Sequence, residues 1–425
     1  MQMLAGIVGI NWGDEGKGRM VDLLSEGYDI VVRYQGGNNA GHTVVNEKGK
    51  FILNLLPSGI LRENTVNVMG PGMVIDLEHL SGEVKKLRDA GIAITPEHLK
   101  ISDKATICMP YHKLLDILEE DRLGDAKFGS TRRGIAPVYA DKYMKKSLRM
   151  GDLLDMDSVR KKLPAIVEWK NLVIRDGYKS EALECSKMLE WLETYGLPFS
   201  EFICDTSEYL WNACDKGSSI LFEAQLGALR DIDFGIYPYT TSSSTIAAYA
   251  PIGAGIPDMK LEQCIGVMKA YSSCVGEGPF ASELFGDQGH LLREAGSEYG
   301  AATGRPRRVG GFDIPASRYG VRMQGASCIA LTKLDVLSCF EKIPVCKAYD
   351  IDGEITESFP SGERLMRAKP VYEYLDGWSC DISGCRSYED LPAAAKEYIA
   401  YIQRNISCPI KYVSVGPGRN EYFEI

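Results

Sequence analysis

Trp12-Gly13-Asp14-Glu15-Gly16-Lys17-Gly18 forms a glycine-rich segment between an apolar run, residues 3–10, and an amphipathic run, residues 19–25. This order predicts a strand, a tight loop and a helix. Glycines let successive backbone N–H groups converge on phosphate oxygens, the helix N-terminus favours negative charge, and Lys17 adds a cation. The segment therefore predicts a phosphate-binding loop.

The segment departs from a standard P-loop in two ways. Only two residues separate Gly13 from Gly16-Lys17, whereas G-x-x-x-x-G-K-[ST] has four, and Gly18 stands where a Ser or Thr hydroxyl would hold Mg²⁺. Another group must then bind the metal, and Asp14 is the nearest hard oxygen donor. A surface glycine turn with a solvated Lys17 is the alternative at this point.

Composition limits the class of protein. The chain has 425 residues and a net charge of −10, which argues against nonspecific binding to nucleic acid or acidic membranes. Neither a signal peptide nor an apolar stretch of about eighteen residues is visible, so we expect a cytoplasmic protein. The 12 cysteines are scattered singly, which indicates buried thiols rather than a zinc site. No linker divides the chain, which predicts one domain over residues 1–425.

Continuous apolar runs predict strands buried on both faces of a sheet. They lie at residues 3–10, 28–34, 66–69, 220–223, 265–271, 326–331, 343–349 and 410–415. Helical periodicity at 79–90, 111–122 and 391–405 separates several of them, and a helical subdomain is expected from about residue 100 to residue 217. The prediction is an α/β fold, P-loop-NTPase-like, with a large, mainly parallel central sheet flanked by helices and with helical and small subdomains.

A second glycine-rich segment, residues 35–43, follows the predicted strand 28–34. Its glycines allow a ligand to approach the backbone, and Asn39 and His42 add groups that bind a base or a phosphate. Ligands of open parallel sheets bind at the carboxyl ends of strands, so we expect His42 at the same edge as Asp14 if their strands are neighbours. A purely structural histidine is the alternative.

Thr332-Lys333-Leu334-Asp335 ends another predicted strand. A carboxylate in this position can accept two hydrogen bonds from the N1–H and the exocyclic amine of guanine, and the Lys333 stem can cover the base. The pattern favours guanine over adenine, although a solvated Lys and Asp at a strand end would look the same.

The segment from Gly300 to Arg308 combines a glycine lead with three arginines, Arg305, Arg307 and Arg308. Because a guanidinium binds carboxylate or phosphate through two parallel hydrogen bonds, the loop suits a small dianionic substrate or a nucleotide phosphate. A solvated basic loop is the alternative.

Together these segments resemble the adenylosuccinate synthetase family nearly end to end. The shared motifs are W-G-D-E-G-K-G at 12–18, V-V-R-Y-Q-G-G-x-N-A-G-H-T at 31–43, P-S-G-I-L-R-E-N at 57–64, R-G-I-x-P at 133–137, D-I-D-x-G-x-Y-P-Y-x-T-S-S at 231–243, G-P-F at 278–280, T-G-R-x-R-R at 303–308, L-T-K-L-D-V-L at 331–337 and G-P at 416–417. The set is highly specific.

The resemblance implies a GTP- and Mg²⁺-dependent ligase of purine biosynthesis, in the AMP branch. It would join IMP and L-aspartate into adenylosuccinate, releasing GDP and phosphate, through a 6-phosphoryl-IMP intermediate. By resemblance Asp14 is the general base and a Mg²⁺ ligand, Lys17 binds phosphate, His42 stabilises charge on the leaving β-phosphate, and the Gly41 carbonyl is a second Mg²⁺ ligand. The family also implies a homodimer with shared active sites.

Further ligand contacts carry over by resemblance. For GTP they are Gly13, Asp14, Glu15, Gly16, Lys17, Gly18, Arg19, Gly41, His42, Thr43, Arg307, Lys333, Leu334, Asp335, Ser414, Val415 and Gly416. For IMP they are Asp14, Asn39, Ala40, Gly41, His42, Thr131, Lys145, Gln225, Leu226, Thr241 and Arg305. For aspartate they are Ala301, Ala302, Thr303, Gly304, Arg305, Pro306 and Arg307.

Several positions depart from the family pattern. Leu226 occupies the place of an IMP-contacting Gln, unless a local shift lets Gln225 substitute, and Lys145 stands where an Arg would reach the partner subunit's nucleotide. Other departures are Cys274 for Arg, Arg132 for Gly, Ala302 for Thr and Pro306 for Arg. A divergent paralogue that acts by the same mechanism on another purine nucleotide or amino acid is therefore an alternative. A non-enzymatic GTP-binding module is disfavoured because Asp14, Lys17 and His42 are retained.

Overall fold

The computed structural model describes residues 3–46, 49–300, 304 and 306–425, without the side chains of residues 45 and 46. The described strands are β1 (Leu4–Gly9), β2 (Ile30–Arg33), β3 (His42–Asn46), β4 (Gly49–Leu53), β5 (Val66–Met69), β6 (Val74–Ile75), β7 (Leu99–Ser102), β8 (Thr106–Ile107), β9 (Ile203–Cys204), β10 (Ile220–Glu223), β11 (Gln263–Lys269), β12 (Ser272–Cys274), β13 (Arg308–Gly310), β14 (Phe312–Asp313), β15 (Cys328–Thr332), β16 (Lys342–Ile351), β17 (Glu354–Thr356), β18 (Lys369–Asp376), β19 (Ile410–Ser414) and β20 (Tyr422–Glu424).

The described α-helices are α1 (Lys17–Leu24), α2 (Leu77–Asp89), α3 (Pro110–Leu123), α4 (Ile135–Met144), α5 (Met156–Asn171), α6 (Cys185–Tyr195), α7 (Thr206–Asp215), α8 (Ala250–Ala254), α9 (Gly286–Ala295), α10 (Ile314–Gln324), α11 (Gly362–Met366) and α12 (Ala393–Ile406). Asp side chains cap several of them. Asp76 accepts from His79 N at the start of α2, and Asp313 accepts from Ala316 N at the start of α10. None of the described helices is both long and apolar enough to span a membrane.

A ten-stranded sheet organises the molecule, in the order β20-β19-β15-β11-β1-β10-β2-β5-β7-β9. Every pair is parallel except the edge pair β19 and β20. The strand before the glycine-rich loop is central, since β1 pairs with β10 on one side and β11 on the other. The carboxyl ends of these strands therefore meet along one edge, where the site described below is built.

The predicted fold class is confirmed, and two predicted strands, 66–69 and 220–223, have the predicted bounds. His42 was expected at the same edge as Asp14 if the strands before them were neighbours. These strands, β2 and β1, are not neighbours, because β10 lies between them. Helices α3 to α7 fall within the predicted helical subdomain, yet β7 and β9, at its two ends, join the central sheet. A smaller sheet of β14, β16, β17 and β18 packs beside α10.

Candidate active site

The loop between β1 and α1 is shaped by left-handed backbone conformations. Gly13 (φ 100°), Asp14 (φ 61°) and Gly16 (φ 96°) all have positive φ, which glycine adopts readily and aspartate at some cost. The buried Glu15 Oε1 accepts hydrogen bonds from the backbone N–H groups of Asn11 and Gly13 at 3.1 and 2.8 Å. The Glu15 side chain thus braces the loop from inside.

Lys17 lies buried at the first position of α1. Its Nζ is 2.6 Å from Glu15 Oε2, and the Thr332 hydroxyl donates to the Glu15 carbonyl, also at 2.6 Å. Glu15 therefore ties the lysine to the loop, and Thr332 ties the loop to the end of β15. The predicted phosphate lysine and the predicted base-binding segment are parts of one hydrogen-bonded unit.

His42 reaches this unit from the second glycine-rich segment. It begins β3, and its Nδ1 makes a short hydrogen bond with Glu223 Oε1 at the end of β10. Ser58 donates its hydroxyl to Glu223 Oε1 and its N–H to Oε2, both at 2.7 Å. Glu223, which the sequence did not single out, fixes the ring of His42.

Burial decides the protonation of His42. Burial lowers the pKa of His42, so the ring is neutral at pH 7 and Nδ1–H donates to the carboxylate. Burial also works against ionisation of Glu223, but the His42 ring and the Arg33 guanidinium outweigh it and hold the pKa of Glu223 below its usual value. The other ring nitrogen, Nε2, is then free of the proton.

The structure explains why glycine stands at position 18. A Cβ built there would come within 2.9 Å of His42 Cγ and closer still to His42 Cβ. A Ser or Thr, as in a standard P-loop, would displace His42. The absence of a hydroxyl at position 18 is therefore explained by the packing of His42 against Gly18.

Asp14 is partly exposed and faces an arginine. Its Oδ2 lies 3.4 Å from Arg307 Nε, and Arg307 NH1 lies 2.9 Å from the buried Glu298. The first and fourth predicted segments therefore meet at Asp14.

The third segment meets the C-terminal residues that the family resemblance assigned to the same pocket. Leu334 N donates to the Ser414 carbonyl at 3.1 Å, and Arg19 of α1 bonds the Ser414 hydroxyl and, at 2.6 Å, the Gly418 carbonyl. Asp335 Oδ1 is buried without a hydrogen-bond partner among the described residues. Burial raises the pKa of Asp335.

On the acceptor side of the loop, Thr241 is buried and its hydroxyl has no partner in the described part of the chain. Asn39 Oδ1 accepts from Gly37 N at 3.4 Å, the Ala40 carbonyl accepts from Asn54, and Thr131 is exposed. These are the predicted IMP contacts, and their roles stay predictions.

Gln225 and Leu226 have different surroundings. Gln225 is buried, and its amide donates to the Gly37 carbonyl at 2.9 Å, so it braces the second glycine-rich segment. Leu226 has φ 59°, and its Cδ2 would lie 3.5 Å from a Cβ on Gly13. Leu226 therefore packs against the loop of residues 12–18, where it adds apolar surface.

Arg230 was not predicted. Its guanidinium donates to Cys274 Sγ at 3.0 Å and to the carbonyls of Val275 and Tyr239, while its own carbonyl accepts from Thr241 N at 2.8 Å. A guanidinium therefore lies beside Cys274, the position where the family pattern has an Arg. Sequence reasoning missed it because contacts between residues far apart in the chain leave no local pattern.

The remaining predicted residues are less informative. Lys145 ends α4 with φ 60° and is exposed, next to exposed Tyr143 and Met144. Gly304 and Pro306 are exposed. The predictions for Ala301, Ala302, Thr303 and Arg305 lie outside the described residues.

The residues present fit a Mg²⁺ ion held largely by substrate. Residues 3–46, 49–300, 304 and 306–425 contain no group of three or more His, Cys, Asp or Glu side chains able to hold a metal. Asp14, in the loop of residues 12–18, offers one carboxylate, and Gly41, which precedes the His42 that packs on Gly18, offers one carbonyl; both are hard oxygen donors. Mg²⁺ commonly takes one or two protein ligands and completes its shell with phosphates and water.

Comparisons with known proteins agree with this geometry. The family model of adenylosuccinate synthetase matches residues 6–423. An adenylosuccinate synthetase from Caldanaerobacter subterraneus is 44% identical over 416 residues, and the match covers 98% of this chain and 97% of the relative. Another from Salinibacter ruber is 45% identical over 424 residues, and the match covers 98% of this chain and 96% of the relative.

Among solved structures, the fully ligated adenylosuccinate synthetase from Plasmodium falciparum superposes with a TM-score of 0.93 at 36% identity, covering 99% of each chain. Family model, curated relatives and solved structure all span nearly the whole chain. The chain belongs to the adenylosuccinate synthetase family of ligases.

Proposed function

We propose that the chain joins IMP and L-aspartate in a GTP- and Mg²⁺-dependent reaction that forms adenylosuccinate, GDP and phosphate through 6-phosphoryl-IMP. The observation that carries the proposal is the packing of His42 on Gly18, within the loop that contains Asp14 and Lys17, with the His42 ring fixed by Glu223.

In the first half-reaction, Asp14 takes the proton from N1 of IMP. The O6 oxygen gains the electron density that makes it a nucleophile and attacks the γ-phosphorus of GTP, and the bond to GDP breaks. A base positioned in this way contributes roughly 10²- to 10⁴-fold. Lys17 and the N–H groups of the loop bind the phosphates throughout.

His42 acts on the charge that develops on the leaving GDP. A phosphate oxygen near Nε2 adds a second negative charge to the one Glu223 already places beside the ring. As the nucleotide binds, the ring takes up a proton from water and donates Nε2–H to the β-phosphate. Stabilising this charge is the larger part of catalysis in phosphoryl transfer.

In the second half-reaction, the neutral aspartate amine attacks C6, the C6–O bond breaks and phosphate leaves, and the nitrogen gives up one proton to water. Arg307 and the arginines of the 300–308 segment are suited to hold the carboxylates of the amino acid. Mg²⁺, held by Asp14 and the Gly41 carbonyl, would neutralise phosphate charge.

An acceptor other than IMP is the second candidate. Leu226 presents an apolar surface against the loop where the family has an amide, and Cys274 stands where the family has an Arg. The residues assigned to phosphoryl transfer, Asp14, Lys17 and His42, are retained. The two departures favour a family member with the same mechanism and an altered purine or amino acid.

We further propose a homodimer in which Lys145 of one subunit reaches the nucleotide of the other, and a cytoplasmic enzyme. The exposed position of Lys145 at the end of α4, next to the exposed Tyr143 and Met144, supports the first of these. The cytoplasmic location rests on the family's biosynthetic role alone.

The test is to incubate purified protein with GTP, Mg²⁺ and L-aspartate against IMP, GMP, dGMP and XMP, and to follow GDP and the condensed product by mass spectrometry. Adenylosuccinate formed only with IMP supports the proposal. Turnover of another nucleotide at a higher rate selects the second candidate, and GDP release in no mixture contradicts the proposed reaction.

A further inference from the structure

Glu298 is a fully buried carboxylate that lies between three cations. Its Oε1 accepts from Lys269 Nζ at 2.7 Å, from Lys333 Nζ at 3.1 Å and from the Tyr271 hydroxyl, and its Oε2 accepts from Arg307 NH1 at 2.9 Å. We call these five residues the Glu298 cluster.

Charges in the cluster depend on one another. Burial opposes ionisation of Glu298, but Lys269, Lys333 and Arg307 together hold the pKa of its carboxyl well below the usual range. Burial lowers the pKa of Lys269 to about 8, and Glu298 is the main group that opposes this. Glu298 thus favours the charged form of Lys269 and is hydrogen-bonded to Lys333 and Arg307, so its removal changes the position of each cation.

The cluster joins two parts of the site that the reaction uses separately. Lys333 lies two residues before Asp335 in the segment expected to bind the base, and its Nζ also donates to the Gly296 carbonyl at 2.6 Å. Arg307 uses NH1 for Glu298, and its Nε faces Asp14 Oδ2 at 3.4 Å. Glu298 is the one group within the described residues that contacts both cations directly.

The backbone of Glu298 also contacts Arg307. The Arg307 N–H donates to the Glu298 carbonyl at 2.9 Å, so that main chain and side chain of Glu298 both hold Arg307. The residue is therefore placed to transmit a shift of Lys333 to the guanidinium beside Asp14.

We propose that Glu298 is a positioning residue that couples nucleotide binding at the Lys333–Asp335 segment to the placement of Arg307 beside Asp14. This inference rests on the proposed function, since it takes a guanine nucleotide as the ligand of Lys333 and Asp335. A nucleotide that orders Lys333 orders Glu298, and Glu298 orders Arg307 for the anionic groups that react next to Asp14. Base recognition is in this way linked to the affinity for the amino acid.

Hydrogen exchange with GDP and Mg²⁺ tests the coupling without requiring turnover. In the unmodified protein, GDP should slow exchange both in residues 331–337 and in residues 306–310. In Glu298→Gln, GDP should still slow exchange in 331–337 but change exchange in 306–310 by less than a third of the unmodified value. Unchanged GDP protection of 306–310 in this variant would overturn the inference.

A matched control is Glu283→Gln. Glu283 also pairs with an arginine of this segment, at 2.5 Å from Arg308 NH2, but among the described contacts it does not touch Lys333 or Arg307. It should leave GDP protection of both regions intact. A carboxylate that only stabilises the fold would speed exchange equally with and without GDP and leave the difference unchanged, which would also overturn the coupling.

One further variant keeps the test decisive. If Glu298→Gln does not fold, Tyr271→Phe removes one donor to Glu298 and retains all charges, and it should reduce GDP protection of 306–310 while sparing 331–337. Full protection in Tyr271→Phe would count against the coupling.

The proposed reaction can fail independently of the coupling. Coupled protection in a protein that ligates none of the tested nucleotides would reject the reaction and retain the role of Glu298. Absence of GDP protection at 331–337 in the unmodified protein would overturn the coupling itself.

Discussion

Gly18→Ala tests the packing that replaces the P-loop hydroxyl. The added methyl would lie 2.9 Å from His42 Cγ and 3.2 Å from His42 Cα, and nearer still to Cβ. Ordinary carbon contacts begin near 3.5 Å. Because Cβ and Cα do not move when the side chain rotates, relief requires a shift of the His42 backbone by roughly half an ångström to one ångström.

The expected losses of stability and of turnover follow from this shift. Overpacking costs about 1–3 kcal/mol of stability, and a misplacement of about 1 Å at a reacting group costs on the order of 10²-fold in rate. The shift would also break the His42 to Glu223 hydrogen bond. We therefore expect kcat to fall by about 10²-fold while the free energy of unfolding falls by only about 1–3 kcal/mol.

Gly82→Ala is the matched control. Gly82 lies in α2 with nothing within 4 Å of an added Cβ, so alanine there should be neutral or stabilising by up to about 1 kcal/mol with unchanged turnover. GDP release and urea unfolding measure both quantities for both variants. A Gly18→Ala protein with turnover within a factor of two of the unmodified enzyme would refute the argument that His42 excludes a side chain at position 18.

Four other predictions follow from the site and its surroundings. Asp14→Asn should lower kcat by at least ~10²-fold and leave the Kd for GDP within a few-fold, as measured by titration; near-normal turnover would mean that another group is the base. Asp335→Asn should shift nucleotide preference from GTP towards XTP, whose position 2 carries an acceptor, in competition assays; equal use of GTP and ATP by the unmodified protein would contradict the role of Asp335. Burial raises the pKa of Glu83 from 4.5 to about 7, so this carboxyl contributes stability below pH 4.5 that is lost as the pH rises through 7. In urea unfolding, the stability of the unmodified protein relative to Glu83→Gln should therefore drop by up to about 3 kcal/mol between pH 4.5 and pH 8. A pH-independent difference would show that Glu83 is not protonated in the fold. Mixing inactive Asp14→Asn chains with inactive Lys145→Leu chains should restore activity in heterodimers, because these contain one site without either defect; inactive verified heterodimers would reject shared sites. Lys145→Arg alone should keep or improve nucleotide affinity.

Local sequence predicted the elements well where the signal is local. The runs 66–69 and 220–223 are strands with those bounds, because continuous apolar residues suit strands buried on both faces. The loop 12–18 was predicted to lie between a strand and a helix and does so, because glycine, charge and periodicity change within a few residues.

Order within the sheet was not predictable in the same way. Placing β10 between β1 and β2 depends on pairing strands about two hundred residues apart, and no local pattern encodes it. The partner of His42 was missed for the same reason, since Glu223 comes 181 residues later in the chain. Glu298 also escaped prediction, because its partners Lys269 and Lys333 come from two different strand ends.

The central position of β1 has a consequence for how the chain is made. Leu4 pairs with Ile220, and Ala5 with Gln263, so neither edge of β1 has its partner until those residues leave the ribosome. At 5–20 residues per second that delay is roughly 10 to 40 s. Meanwhile β2, β5 and β7 can pair with one another from nearby sequence. During synthesis the first strand thus joins the sheet only when β10 is made, after β2, β5, β7 and β9. A nascent chain stalled before residue 220 would carry the sequence of residues 12–18 without the strand pairing that positions its loop.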